Sequence, residues 1–158
     1  MTGLTHADEE GRSRMVDVGG KAETPRTAWA EGLITMSAVA LDAIEANALA
    51  KGDALATARI AGIMAAKKTA ELIPLCHPIS LTDVGVDFEF DRALPGLRTR
   101  TWASATGRTG VEMEALTAAT VALLTIYDMA KSLDRAMEIA VVRLTSKTGG
   151  KTGEWKRQ

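Results

Sequence analysis

Thiol and imidazole are nearly absent from this chain: Cys76 is its one cysteine and His6 and His77 its only histidines among 158 residues. A lone cysteine closes no internal disulfide, so the fold is expected to need no oxidising compartment. Neither charge sign is in excess, with 19 Lys and Arg against 20 Asp and Glu and a formal net charge of −1. That balance argues against a generic nucleic-acid surface. Uninterrupted apolar runs stay short of the ~20 residues of a membrane span. The opening "MTGLTHADEEGRSRM" is polar and acidic, unlike a secretory or transit peptide. The expectation is a cytoplasmic protein. Aromatics are scarce too, at 4%. Small residues instead fill the apolar segments, which suggests helices packed closely on a sheet and on copies of the chain.

What remains is an ordinary globular composition, 46% apolar and 25% charged. The length suits one domain with a sizeable core. Residues 1–13 read as a flexible segment ahead of a single domain at 14–158. Extended chain follows, broken near Gly19–Gly20 and Pro25. Beyond it Arg26, Ala28, Ala30, Gly32 and Ile34 fall on one side of a strand. Ser37 can cap a helix over 38–50, and Lys51–Gly52 ends it. Asp53 caps a second helix over 54–73, stopped by Pro74. Val84, Val86, Phe88 and Phe90 alternate along a strand, and "LRTRTWASA" returns as its hairpin partner. Thr109 and Glu112 have capping-box spacing for a third, strongly apolar helix, "VEMEALTAATVALLTIYDMAKSLD". A helix apolar nearly all round needs cover on more than one side, and a partner subunit is one source of it. "EIAVVRLTS" is the last strand. The order predicts an α+β sandwich around an antiparallel sheet.

Four places could carry chemistry. Asp128 and Lys131 share a helical face, either as an ion pair worth roughly 0.2–0.5 kcal/mol or as acid–base neighbours whose pKa values are drawn toward neutrality by burial. Glu112 and Glu114 open the same helix; each is either a helix-start acid or an acceptor for N–H donors of a purine or pterin edge, with Met113 against the ring. The tail "SKTGGKTGEW" fails as a Walker A loop, since Thr145 replaces its first glycine and no helix follows. What remains is a flexible loop, either a solvated tail or one that offers Lys147 and Lys151 as point charges for an anion. Adjacent Cys76 and His77, at the exit of a helix, lack zinc-ligand spacing, and a Cys nucleophile would need an activating partner; a structural corner and a ligand-binding corner both fit.

Together, "KGDALATARIAGIMAAKKTAELIPLCHP", "GRTGVEMEALTAATVALLTIYDMAKSLD" and "RLTSKTGGKTGEW" resemble the cyclic pyranopterin monophosphate synthase family, the molybdenum cofactor biosynthesis protein C family, from about Met15 to about Trp155. The resemblance implies a ferredoxin-like domain in a homohexamer, a trimer of dimers, with the active site at a dimer interface and neither cofactor nor metal. It implies conversion of (8S)-3′,8-cyclo-7,8-dihydroguanosine 5′-triphosphate to cyclic pyranopterin monophosphate and diphosphate. It carries catalytic roles onto Asp128, Lys131 and Lys51, and substrate contacts onto Leu75, Cys76, His77, Met113, Glu114, Glu112, Arg26 and Lys147. Two other classes stay open from the residues: a module that binds a purine triphosphate unchanged, and a zinc-dependent GTP ring-opening enzyme.

Overall fold

The structure is a computed structural model that describes residues 10–158. His6 and most of the segment expected to be flexible lie outside that range. The elements are β1 (Thr24–Thr35), α1 (Ala38–Glu45), α2 (Ala54–Lys67), α3 (Thr69–Leu72), β2 (Asp83–Asp91), β3 (Gly96–Gly107), α4 (Glu112–Ala130), β4 (Glu138–Thr148) and β5 (Trp155–Lys156). The strands form one sheet in the order β2-β3-β1-β4-β5, every pairing antiparallel. With helices on one face, this is the α+β ferredoxin-like sandwich.

Strand alternation sets the two faces. Ala28, Ala30 and Ile34 of β1 and Leu97, Thr99, Thr101 and Ala103 of β3 are buried under the helices. The opposite parity carries Trp29 against Trp102, with ring centroids 5.1 Å apart, and Arg100 over Trp29 at 4.4 Å. β4 keeps Ile139, Val142 and Leu144 toward the core only through two register shifts against β1.

Small residues let the helical layer sit close, as their abundance suggested. A Cβ on Gly62 of α2 would stand 2.9 Å from the Ala118 carbonyl oxygen of α4, 3.0 Å from Val86 Cγ2 and 3.3 Å from Ala122 Cβ. Ala58 of α2 shares a cluster with Leu123 and Ile126 of α4, and Ala66 shares one with Ala118. The two helices therefore run antiparallel. α4 is long and apolar enough on composition to cross a membrane, although its uninterrupted apolar runs are short, and half of its apolar window is buried in this core. It is the central core helix.

Three local expectations are corrected. The second helix breaks at Lys68 (φ −110°, ψ 13°) into α2 and α3, well before Pro74. There Thr69 Oγ1 donates to the Ala66 carbonyl at 2.9 Å, a side-chain bond that competes with the helical ladder. The first helix ends at Glu45, beyond which Asn47 turns left-handed at φ 51°. The capping box is absent: Val111 holds the N-cap of α4 with no side-chain cap bond. The carboxylate of Glu112 folds back over Gly110, where a Cβ would collide with it, and is bound by Lys147 instead.

Candidate functional site

Lys51 sits in the turn between α1 and α2. Leu49 anchors that turn in the core, Gly52 adopts φ 93° with its N–H on the Leu49 carbonyl, and Asp53 caps α2 by accepting from Ala56 N at 2.9 Å. This delivers the lysine to the C-terminal end of α4, where Asp128 and Lys131 occupy the last turn. Lys51 Nζ donates to Asp128 Oδ2 at 2.7 Å and Lys131 Nζ lies 2.7 Å from Asp128 Oδ1. One carboxylate is thus held between two ammoniums.

The electrostatics differ from the expectation of mutual drift toward neutrality. Hydrogen bonds from Lys131 first, and from Lys51 second, hold Asp128 down at about 2, and the same partner raises Lys131 above the ordinary lysine value. Burial would have pushed both inward, but these side chains are about half exposed: 54% for Asp128, 51% for Lys131 and 47% for Lys51. The expectation that burial tunes this face does not hold in a single chain.

At the other end of α2 and α4 stands a second group. Cys76 N donates to the Ile73 carbonyl at 3.1 Å, closing a turn with Pro74 at its second position, where a fixed φ is favoured. That turn presents half-buried Leu75, Cys76 and His77 to the first turn of α4. The corner and Met113, Glu112 and Glu114 line a pocket of about 360 Å³. Glu114 is buried, not a solvated helix-start acid. Burial raises its carboxyl pKa, and the nearby Glu112 adds to the rise. Burial, then the charge of Glu114, pushes the Cys76 thiol up, so it is no activated nucleophile. His77 Nε2 donates to the Val16 carbonyl at 2.8 Å.

Arg26 and Lys147 converge on this same end. β1 pairs Ala28 with Lys147, whose Nζ reaches Glu112 Oε1 at 2.7 Å. The tail folds back as β5, pairing Lys147 with Trp155, rather than staying loose. Its left-handed Gly149 and Gly150 close over Arg26, where a Cβ on Gly150 would strike the guanidinium. Arg26 Nε and Thr24 Oγ1, two residues apart on one side of β1, are buried without a partner. Unpaired buried donors are uncommon in native folds and mark a place for a ligand or water.

The structure therefore gathers Leu75, Cys76, His77, Glu112, Met113, Glu114, Arg26 and Lys147 at one end of α4, and Lys51, Asp128 and Lys131 at the other. Sixteen residues of helix separate Glu112 from Asp128, about 24 Å at 1.5 Å per residue. Within one chain the two groups do not meet. Sequence reasoning missed Val16, Val18 and Lys21, which line the pocket, and Arg108, which ties their segment down. Their only signal was the Gly19–Gly20 break. Among the described residues, no three His, Cys, Asp or Glu side chains are placed to share a metal ion.

Fold and site together define a ferredoxin-like α+β protein with a half-buried pocket at one end of α4 and a separate lysine–aspartate–lysine cluster at the other. The MoaC family model matches residues 15–150, and the chain belongs to that family. A protein of Novosphingobium aromaticivorans named cyclic pyranopterin monophosphate synthase is 62% identical over 156 residues, covering 99% of this chain and 98% of that one. A Brucella ovis protein of the same name is 59% identical over 152 residues, covering 96% and 92%.

Proposed function

We propose that the chain is the catalytic unit, over 14–158, of an enzyme that converts (8S)-3′,8-cyclo-7,8-dihydroguanosine 5′-triphosphate to cyclic pyranopterin monophosphate and diphosphate. The observation that carries this reading is the Asp128 carboxylate held between two lysine ammoniums at 2.7 Å on each side. Opening the purine imidazole ring, rebuilding a pyrazine and closing a cyclic phosphate need repeated proton transfers, and a carboxylate flanked by amines can serve both directions. The substrate triphosphate carries about four negative charges, which fixed cations must meet. When those charges compete for Lys51 and Lys131, Asp128 loses the partners that hold it near 2 and becomes a stronger base.

The site is completed by a second copy. Ile60 and Met64 of α2 and Leu124 of α4 are 60%, 54% and 56% exposed, an apolar strip on the outer helical surface midway between the two residue groups. A two-fold contact across it, with its axis perpendicular to α2 and α4, lays each copy's helices antiparallel to the other's. The 51/128/131 end of one copy then faces the 75–77/112–114 end of its partner, twice. In this arrangement Asp128, Lys131 and Lys51 perform proton transfer. Arg26 and Lys147 receive phosphate oxygens, His77 contacts phosphate or a ring oxygen, and Glu114 with Met113 reads the guanine edge. Three such dimers form a homohexamer in the cytoplasm, with no cofactor required.

Incubation of the purified protein with the cyclised triphosphate, scored for diphosphate release and pterin fluorescence after oxidation, tests the reading. Stoichiometric diphosphate and pterin are expected. Tight binding without turnover would contradict it.

A further inference from the structure

Residues 16–21 cross the Cys76–His77 corner as a strap fastened at both ends. His77 Nε2 donates to the Val16 carbonyl at 2.8 Å on one side. On the other, Arg108 Nη1 donates to the Gly19 carbonyl at 3.1 Å while its Nε lies 3.6 Å from Glu23 Oε1. Between these anchors the strap folds on itself: Asp17 Oδ1 accepts from Gly19 N at 2.8 Å, and Lys21 N donates to the Val18 carbonyl at 3.0 Å. Val16, Val18 and Lys21 then line the pocket opposite Cys76, Met113 and Glu114.

Lys21 is the one lysine or arginine among the described residues that line this pocket. It has no acidic partner there although two carboxylates share the cavity. Glu112 is taken by Lys147, and Glu114 forms no ion pair. An ammonium left unpaired beside a half-buried cavity is available to a bound anion. We infer that the strap is the closing wall of the substrate pocket and that Lys21 is a further substrate-binding residue, its ammonium taking a phosphate oxygen of the ligand. This rests on the reading of the corner as a substrate site. The strap has a second consequence. Because the Val16 carbonyl takes the Nε2 proton, neutral His77 keeps Nδ1 as its acceptor.

Cys76 is the only cysteine in the chain, so its alkylation rate by iodoacetamide reports opening of this corner without substrate. Arg108→Ala unties the strap and is expected to speed labelling at least about fivefold through local opening. Arg108→Gln serves if the alanine variant fails to fold. A rate within about twofold of the parent in a folded variant overturns the wall. Lys21→Met is expected to leave labelling unchanged, raise KM for the cyclised triphosphate about tenfold and leave kcat within about threefold, with partial rescue by Lys21→Arg. A KM within about twofold overturns the role of Lys21. If the parent protein shows no turnover, the proposed reaction fails, while the labelling arm still decides the strap.

Discussion

Lys51 grips Asp128 twice, through the carboxylate Oδ2 at 2.7 Å and through the backbone carbonyl at 2.9 Å. The second bond serves one of the last carbonyls of α4, which lack intrahelical partners, and places a cation where the helix dipole is negative. One side chain thus joins the α1–α2 turn to the end of the core helix while holding the carboxylate proposed to transfer protons. Asp128→Asn keeps the shape of this junction and removes the proposed base. Turnover is expected to fall at least about a hundredfold with circular dichroism and assembly size unchanged. Near-normal diphosphate release from a folded Asp128→Asn protein would refute the assignment.

The two lysines that hold Asp128 near 2 fix the sign of its pH dependence. A depressed folded pKa means that its stabilising contribution is present above the unfolded carboxylate value of about 3.9 and fades as pH falls through about 2. Lys131→Met removes the larger cause, so the Asp128 titration should move up toward the ordinary range. Carboxyl carbon chemical shifts across an acid titration measure it. An unmoved midpoint would show that Lys131 is not the group responsible.

Glu114 has the opposite sign. Burial raises its pKa, so its ionisation costs stability as pH rises above the unfolded glutamate value of about 4.3. Glu114→Gln keeps the shape and loses the charge. Its melting temperature should exceed the parent's at pH 7.5, by about 2–4 °C for each 1 kcal/mol relieved, and converge with it at pH 4. Substrate affinity should fall in the same variant. Parallel melting curves at both pH values would mean that the carboxyl is not under burial stress.

Gly62 holds the helical layer at its close spacing, with no room for a Cβ between the Ala118 carbonyl and Val86. Gly62→Val is expected to destabilise by about 1–3 kcal/mol, read as a lower denaturant midpoint at constant slope. It should also cut activity in the remaining folded protein, since α2 follows the Lys51 turn at one end and leads to the 75–77 corner at the other.

Much of this fold was written in period-two and helical patterns. The alternation at 84–90 and 97–103, the Ser37 and Asp53 caps and the apolar α4 all reappear in the structure. The failures share a cause: contacts distant in sequence overrode local signals. Lys147, thirty-five residues away, claimed the Glu112 side chain that the capping-box spacing reserved for the helix start. The strap at 16–21 carried no pattern because its position depends on Arg108 and His77. Site residues were legible as types in suspicious places, such as a thiol beside an imidazole. Their division into groups at the two ends of α4 was not, because no local rule states which helix ends share a neighbour.

That division gives the central claim its most direct measurement. Lys51→Ala disables the lysine–aspartate end and Glu114→Ala the pocket end, so each protein alone should be nearly inactive. Co-expressed in equal amounts, they should form mixed dimers in half of all pairings, each with one of its two sites intact. About a quarter of parental activity is then expected in the unsorted mixture. Mixed assemblies as inactive as the separate variants would contradict a site shared between copies.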